Sequence, residues 1–161
     1  MTEMTVYWII FGGVLGAGGL TALSLLWITA PYGRFTNASW GPLMPSNLGW
    51  VVMESVSCLG MVVWFFAGDH WANPVSLVFL LLWQCHYFYR AFVFPFRRRG
   101  GRKPMPVSVV LMGMGFNLVN TWLNGRWLFG LGPELPLSWL SDPRSVSYTH
   151  LAGDSQMTLP T

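Results

Sequence analysis

Charged residues are scarce in this chain. Only 9% of its 161 residues are Asp, Glu, Lys or Arg, whereas 53% are hydrophobic. A soluble globular domain usually carries about 25% charged residues, so the deficit argues against a soluble domain and for a membrane protein. The ten Trp residues, within an aromatic content of 16%, are typical of helices with aromatic belts at the membrane–water interface.

Cysteine is also scarce, and the common nucleotide and hydrolase motifs are missing. Cys58 and Cys85 both lie in apolar stretches without metal-ligand spacing. They are therefore predicted to be buried thiols, with neither a disulfide nor a metal site. The sequence contains no GxGxxG, no Walker lysine motif and no GxSxG, so a nucleotide bound here would not use a Rossmann fingerprint.

Long apolar stretches predict an all-α membrane bundle of about four transmembrane helices, occupying residues 1–144. Each stretch is long enough to cross a bilayer, and the segments between them are rich in Pro, Gly, Ser, Asn or basic residues. The predicted spans are Val6–Ile28, Leu48–Gly68, Pro74–Phe96 and Met105 to about Leu131. Residues 145–161 are polar and too short to span a membrane, which predicts a disordered tail or the product of a truncation.

Five of the nine basic residues lie between Arg97 and Lys103. Such a cluster is typical either of nucleic-acid contact or of a cytoplasmic membrane loop. Because it separates two apolar spans, we predict a cytoplasmic loop and no nucleic-acid partner. The positive-inside rule then places the loop that carries Arg34 in the cytoplasm and the N-terminus outside. A bacterial inner membrane and the endoplasmic reticulum both fit this orientation.

A single acid, Glu54, interrupts the second apolar span. Placing a carboxylate there costs about 2.5–3.5 kcal/mol on insertion scales. One interpretation is a protonated carboxyl that donates a hydrogen bond, as a general acid or oxyanion donor must. The other is a structural carboxylate paired with Arg90 or with an Asn of another helix. The residue alone does not separate the two.

Polar residues also occupy the end of the third span. His86 and Arg90 stand at i and i+4 and share a helical face, and Tyr87 lies three residues before Arg90. These side chains indicate either a functional site at membrane depth or an aromatic belt with a snorkelling Arg. No partner His or Cys stands at ligand spacing from His86, so no metal site is predicted.

Three Asn residues form one stripe on the fourth span. Asn117, Asn120 and Asn124 stand at i, i+3 and i+7, which places them on one face of an apolar helix. Such a face is expected to point into the bundle or a cavity and away from lipid. It indicates either hydrogen bonding between helices or contact with a substrate or cofactor.

Five blocks, in one order, resemble the steroid 5α-reductase family of integral-membrane, NADPH-dependent enzymes. No block is decisive alone, and the order and spacing over about residues 30–144 carry the resemblance. The blocks are PYGRF at Pro31–Phe35, W-x-x-x-E at Trp50–Glu54, HYFYRAFVF at His86–Phe94 with RGGRKPMP at Arg99–Pro106, F-x-x-x-N-x-x-x-N-G at Phe116–Gly125, and WLSDPR at Trp139–Arg144.

The resemblance implies NADPH-dependent reduction of the Δ4 double bond of a 3-oxosteroid. Glu54 and Tyr87 match the family's Glu and Tyr, which hydrogen-bond the 3-keto oxygen, so they are the expected catalytic and substrate-binding residues. Trp50 stands one helical turn before Glu54 and would wall the substrate pocket. The resemblance also implies a set of residues near the cofactor, namely Arg90, Arg99, Arg102, Asn120 and Asn124.

Two departures from the family pattern accompany the resemblance. Met112 stands where a well-known animal member has Arg. The family also continues, after the WLSDPR-like block, with further transmembrane helices that supply most of the NADPH contacts, whereas the resemblance here ends near Arg144. The expectation is an incomplete form whose partners are the lipid bilayer, an apolar enone and a missing C-terminal half. The alternatives are an enoyl-thioester or polyprenoid reductase of the same superfamily, or a non-catalytic membrane fragment.

Overall fold

The computed structural model describes residues 1–28, 38–97 and 104–142. Helices dominate these residues, as the sequence predicts, and the only sheet among them has two short strands. The α-helices are α1 (Glu3–Ser24), α2 (Ser46–Ala67), α3 (Pro74–Phe88), α4 (Phe94–Arg97) and α5 (Val107–Arg126). Tyr89–Val93 and Trp127–Leu131 are π-helical, and Ala38–Trp40 and Leu137–Ser141 are 3-10 turns. The strands are β1 (Leu43–Pro45) and β2 (Pro104–Pro106).

Among the described residues, three helical segments are long and apolar enough to cross a membrane. They are Glu3–Ser24, Ser46–Ala67 and Pro74–Arg97. The first three predicted spans are therefore confirmed as candidate membrane helices. Helix α5 has 20 residues, a comparable length, but its Asn stripe makes it less apolar, in keeping with a helix whose polar face packs against its neighbours.

Helices α2 and α5 form the centre of the bundle and pack at very short range. A Cβ placed on Gly60 would lie 2.8 Å from the Thr121 hydroxyl, and one placed on Gly125 would collide with the Trp64 side chain. Small residues let helix backbones approach closely and so increase their van der Waals contact. This close packing fixes the face that each helix presents, and it directs both Glu54 and the Asn stripe towards the interior.

Each of the two central helices begins directly after one strand of the short pair, α2 after β1 and α5 after β2. Strands β1 and β2 are antiparallel, with Leu43 opposite Pro106 and Pro45 opposite Pro104. The sequence instead predicts a loop at β1 and a fourth span that begins at Met105. The difference has a local cause: a residue that precedes Pro is pushed into the extended region. Met44 and Met105 both precede Pro, so both triplets are extended before their helices begin.

Helix α1 contacts the rest of the bundle near its first turns. Tyr7 is buried and stacks on Trp127, with ring centroids 5.5 Å apart. Glu3 accepts a hydrogen bond from Arg126 at 2.7 Å. Further along, a Cβ placed on Gly12 or on Gly16 would have no described neighbour within 4 Å, so α1 is held to the bundle mainly through its N-terminal part.

The third span, Pro74–Arg97, is one continuous helix with a π-helical turn near its C-terminal end, at Tyr89–Val93. The N–H of Phe94 bonds to the carbonyl of Tyr89, one residue further back than in an α-helix. Pro95 follows directly, and a helical Pro clashes with the carbonyl four residues before it, here that of Ala91. The wider turn relieves this clash, and it contains Arg90, which is part of the candidate site.

Candidate functional site

Glu54 lies at the interface of α2 with the third span. Its residue is only 4% exposed, and its Oε1 accepts a hydrogen bond from Arg90 Nε at 2.7 Å. The Arg90 side chain keeps 31% of its surface exposed. A carboxylate can remain charged in such a buried place only with a partner of this kind. The structure contains the Glu54–Arg90 pair of the second interpretation, and the pair involves Oε1 of the carboxyl group.

Trp50 forms a wall beside this ion pair. It stands one helical turn before Glu54, and the Arg90 guanidinium carbon lies 4.8 Å from the centre of its ring. The same ring meets Phe94 edge to face, with centroids 5.8 Å apart. The indole thus restrains the guanidinium by a cation–π contact, and the predicted proximity of Trp50 to the Glu54 site is present.

Tyr87 enters the same interface from α3. Its phenol oxygen accepts a hydrogen bond from Asn120 Nδ2 of α5 at 3.2 Å. The Trp83 ring stacks on the phenol ring at a centroid distance of 4.7 Å. Tyr87 also lies close enough to Glu54 and Arg90 to interact with both electrostatically. Three helices therefore contribute to one cluster of polar groups at membrane depth.

The Asn stripe divides into two environments. Asn124 Nδ2 donates to both the carbonyl and the side-chain oxygen of Asn120, at 2.9 and 3.0 Å, and Asn120 in turn contacts Tyr87. Asn117 is turned towards α2, where its Nδ2 donates to the carbonyl of Met53 at 2.7 Å. The stripe therefore supplies both a bond between helices and a direct contact with the candidate catalytic phenol.

Polar contacts that sequence reasoning missed fasten α3 to α2. Trp83 Nε1 donates to the Ser57 carbonyl at 3.1 Å, and Gln84 Nε2 donates to the Cys58 carbonyl at 2.8 Å. The Cys58 thiol donates back to Gln84 Oε1 at 2.8 Å. The available signal was helical spacing, because Trp83 stands four residues before Tyr87 and Ser57 three residues after Glu54.

Ser57 is fully buried beside the Tyr87 phenol. Its hydroxyl has no well-formed hydrogen bond to any residue that the structure describes, although it lies near enough to the phenol to act on it electrostatically. The phenol oxygen is thus faced by the Asn120 amide and by a second polar group, both of which can donate a proton to it.

The predicted site residues fall into three groups. The structure brings together the two expected catalytic residues and four of their expected neighbours. These six are Trp50, Glu54, Tyr87, Arg90, Asn120 and Asn124. Arg99 and Arg102 lie outside the described residues. His86 is exposed at the edge of the cluster, where its ring meets that of Tyr87 edge to face with centroids 5.0 Å apart. Met112, which departs from the family pattern, is also exposed.

Among the described residues, the three candidate cofactor contacts hydrogen-bond protein groups. Arg90 Nε is engaged by Glu54, and the Asn120 and Asn124 amides donate within the cluster. A pyrophosphate needs several donors that converge on its oxygens, and within the described ranges the candidate cofactor contacts are directed at protein groups. The cluster can instead present a phenol and a carboxyl to a polar atom of an apolar molecule.

No family model matches the chain. The chain is 36% identical to a steroid 5-alpha-reductase of Gossypium hirsutum over 67% of its own length and 43% of the relative. It is 32% identical to the corresponding protein of Arabidopsis thaliana, with shares of 70% and 45%. It is 34% identical to 3-oxo-5-alpha-steroid 4-dehydrogenase 1 of Bos taurus, with shares of 74% and 48%.

The chain spans about half the length of the curated relatives that it matches. The matches cover about two thirds to three quarters of the chain itself, and they come from plants and from a mammal. The predicted resemblance is confirmed by these relatives, and the chain belongs to the steroid 5α-reductase family.

Proposed function

We propose that this chain supplies the carbonyl-binding residues of an NADPH-dependent Δ4-3-oxosteroid reductase. One observation carries the proposal: Tyr87 and Glu54, which come from different helices, lie close enough to interact electrostatically inside an apolar bundle. Each is held by a hydrogen bond of its own, Tyr87 to Asn120 and Glu54 to Arg90. The relatives are named as enzymes that act on 3-oxosteroids, and an enone needs hydrogen-bond donors where its oxygen acquires charge.

The reduction adds a hydride to C5 and a proton to C4 of the conjugated ketone. Enzymes of this family use NADPH, which would supply the hydride when bound. Negative charge then develops on the 3-keto oxygen, and donors that already point at that oxygen stabilise the transition state more than the ground state. The low-dielectric surroundings of the cluster strengthen such hydrogen bonds.

Tyr87 is the first of the two proposed donors. Its oxygen already accepts the Asn120 N–H, which leaves its own O–H to donate to the substrate. Removal of one donor of this kind typically lowers kcat about 10²–10³-fold. We therefore expect Tyr87→Phe, which keeps the ring and its Trp83 stacking, to reduce kcat by about that factor.

Glu54 is the second proposed donor, and it can act without leaving Arg90. Its Oε1 accepts from Arg90, while its Oε2 has no hydrogen-bond partner among residues 1–28, 38–97 and 104–142. A carboxyl that carries its proton on Oε2 would donate to the ketone and still accept from Arg90 on Oε1. In Glu54→Gln the amide has an oxygen that can accept from Arg90 and an N–H that can donate to the ketone. Their geometry differs from that of the carboxyl group, so kcat should again fall strongly.

The proposed location is a membrane that the chain crosses several times. The three apolar helices support a membrane protein, and the orientation proposed from the basic loop has the N-terminus outside and residues 97–103 in the cytoplasm. Single Cys residues placed at Thr2 and at Lys103 in a chain lacking Cys58 and Cys85 would test it. If the proposed orientation is correct, a membrane-impermeant thiol reagent added to intact cells should label the Cys at position 2 and leave the Cys at position 103 unlabelled.

The function itself is tested by product analysis in membranes that contain the full chain. The assay is run with the chain alone and with the C-terminal half of the Gossypium hirsutum relative co-expressed, using NADPH and a progesterone-like substrate. An enoyl thioester and a polyprenoid serve as competing substrate classes. Tyr89→Phe is the matched control for Tyr87→Phe, because Tyr89 is 45% exposed and lies two residues away.

A 5α-reduced steroid that depends on Tyr87 and Glu54, and not on Tyr89, is the expected result. Reduction of only the thioester or the polyprenoid would contradict the proposed steroid substrate and indicate another activity of the superfamily. A lack of any reduction in both arrangements, with folded protein present, would favour a non-catalytic membrane protein and contradict the proposal.

A further inference from the structure

We infer that Asn120 is a positioning residue for Tyr87, and that Asn124 sets the orientation of Asn120. The inference rests on the proposed function, because it assigns a role to two residues behind the phenol that would bind the ketone. It gives them a task different from cofactor contact. Their hydrogen bonds would direct the phenolic O–H towards the ketone of the substrate.

The contact between Asn120 and Tyr87 has a defined direction. Asn120 Nδ2 lies 3.2 Å from the phenol oxygen, and an amide nitrogen can only donate. The phenol therefore accepts at this contact, and its single proton is available in another direction. The stacked Trp83 ring, at 4.7 Å, restrains the plane of the phenol, so the remaining directions for the O–H are few.

Asn124 determines which end of the Asn120 amide faces the phenol. Asn124 Nδ2 donates to Asn120 Oδ1 at 3.0 Å and to the Asn120 carbonyl at 2.9 Å. A flipped Asn120 amide would set its NH₂ against the Asn124 NH₂, two donors without an acceptor between them. It would also present Oδ1 to the phenol and attract the proton needed by the substrate. A flip therefore loses the hydrogen bond between the Asn124 and Asn120 side chains and leaves two buried donors facing each other.

The same arrangement assists the phenol during the reaction. As the phenolic proton shifts towards the ketone, the phenol oxygen becomes more negative. The hydrogen bond that it accepts from the Asn120 N–H then becomes stronger. A donor whose interaction grows in the transition state accelerates the reaction, whereas one of constant strength does not. Asn124 contributes only indirectly, through the orientation of its neighbour.

Asn117 provides the internal comparison. It belongs to the same face of α5, but its Nδ2 bonds to the Met53 carbonyl of α2 at 2.7 Å and not to Tyr87. Substitution of Asn117 should weaken the packing of α2 against α5 without redirecting the phenol. The two residues therefore separate a structural role from a positioning role on one helical face.

The test uses the full chain and a 3-oxosteroid labelled with ¹³C at C3. The C=O stretching frequency of the bound steroid, measured by infrared difference spectroscopy, reports hydrogen bonding to the ketone without any turnover. Asn120→Asp offers the phenol an acceptor, so the ketone should lose its bond to Tyr87. Its frequency should rise to the value found with Tyr87→Phe. Asn120→Ala is the second variant and should raise it part of the way. Asn117→Ala should leave it unchanged.

Turnover gives an independent readout wherever the assay of the proposed function is positive. Asn120→Asp should lower kcat about 10²-fold, the effect of losing one oxyanion donor, with KM changed less than about threefold. In the Tyr87→Phe background the same substitution should change kcat by less than about twofold, because the residue acts through the phenol. An equal loss in both backgrounds would show a merely structural role.

The outcomes separate this inference from the proposed function. If Tyr87→Phe raises the carbonyl frequency and both Asn120 variants leave it unchanged, the positioning role is wrong and the proposed function stands. If Tyr87→Phe has no effect on the frequency, or the unsubstituted chain does not bind the steroid, the proposed function fails and the positioning role fails with it. A frequency that rises equally in Asn117→Ala also overturns the inference.

Discussion

Removal of either partner of the Glu54–Arg90 pair should destabilise the protein by unequal amounts. The Glu54 side chain is 5% exposed and the Arg90 side chain 31%. Arg90→Met leaves a buried carboxylate without its cation, and breaking a buried pair in this way costs about 3–5 kcal/mol. The partly exposed Arg90, in contrast, retains access to solvent and its contact with Trp50 when Glu54 is changed.

Glu54→Gln keeps an oxygen that can accept from Arg90 Nε. Because Arg90 stays charged, its bond to the amide oxygen is still a hydrogen bond to a charged group, which contributes about 1.5–3 kcal/mol. The exchange of a carboxylate for an amide acceptor should move the contribution within that range and cost about 1 kcal/mol. For a chain of this length, each kcal/mol lowers Tm by about 2–4 °C. We expect Tm to fall by roughly 6–20 °C in Arg90→Met and by roughly 2–4 °C in Glu54→Gln.

The assay is thermal unfolding of the detergent-purified chain, followed by circular dichroism. The protein offers a matched control, because Arg126 and Glu3 form a second pair at the same 2.7 Å, with Glu3 49% exposed. The Arg126 side chain is 18% exposed, but its removal leaves the half-exposed Glu3 accessible to water, so Arg126→Met should have a smaller effect than Arg90→Met. Equal losses in Arg90→Met and Glu54→Gln, or a larger loss in Glu54→Gln, would refute this account of how the carboxyl is held.

Two further predictions concern packing. Gly125→Leu should prevent the close approach of α2 and α5, because any side chain there collides with Trp64, and the folded yield in detergent should fall sharply. Gly115→Leu, on a face with no described neighbour within 4 Å, should leave the yield unchanged, and an equal loss in both would contradict the packing. Trp83→Leu removes both the ring stacked on Tyr87 and the hydrogen bond to the Ser57 carbonyl, so kcat should fall in the protein that still folds. An unchanged kcat would show that the stacking has no role in positioning the phenol.

The helices could be predicted from the sequence because apolar runs of sufficient length have few alternatives in a membrane. The first three spans agree with the structure to within a few residues at each end. The strand pair was missed because its two triplets, which begin at Leu43 and at Pro104, are far apart in the chain, and nothing local to either one indicates pairing. Only the Met-Pro step before each helix hinted at an extended start.

The sequence was enough to predict which residues belong to the candidate site, but it was not enough to predict which of them contact each other. An acid inside an apolar span identified Glu54, and helical spacing placed the Asn residues on one face. The sequence left two interpretations of Glu54 open, and the pair with Arg90 required the register between helices, which depends on tertiary packing. His86 and Arg90, predicted to share a face, do lie near each other and near Glu54, although His86 is exposed and Arg90 lies in the π-helical turn before Pro95.

The most direct test of the central claim is the transfer of deuterium from NADPH labelled at C4 of the nicotinamide to a Δ4-3-oxosteroid. The measurement uses membranes that contain this chain, alone and with the C-terminal half of the Gossypium hirsutum relative, and mass spectrometry of the product. We expect a 5α-reduced steroid with deuterium at C5, formed with the unsubstituted chain and with Tyr89→Phe and nearly lost with Tyr87→Phe or Glu54→Gln. A labelled product formed equally well by all four proteins would contradict the central claim, as would no labelled product from the unsubstituted chain in either arrangement.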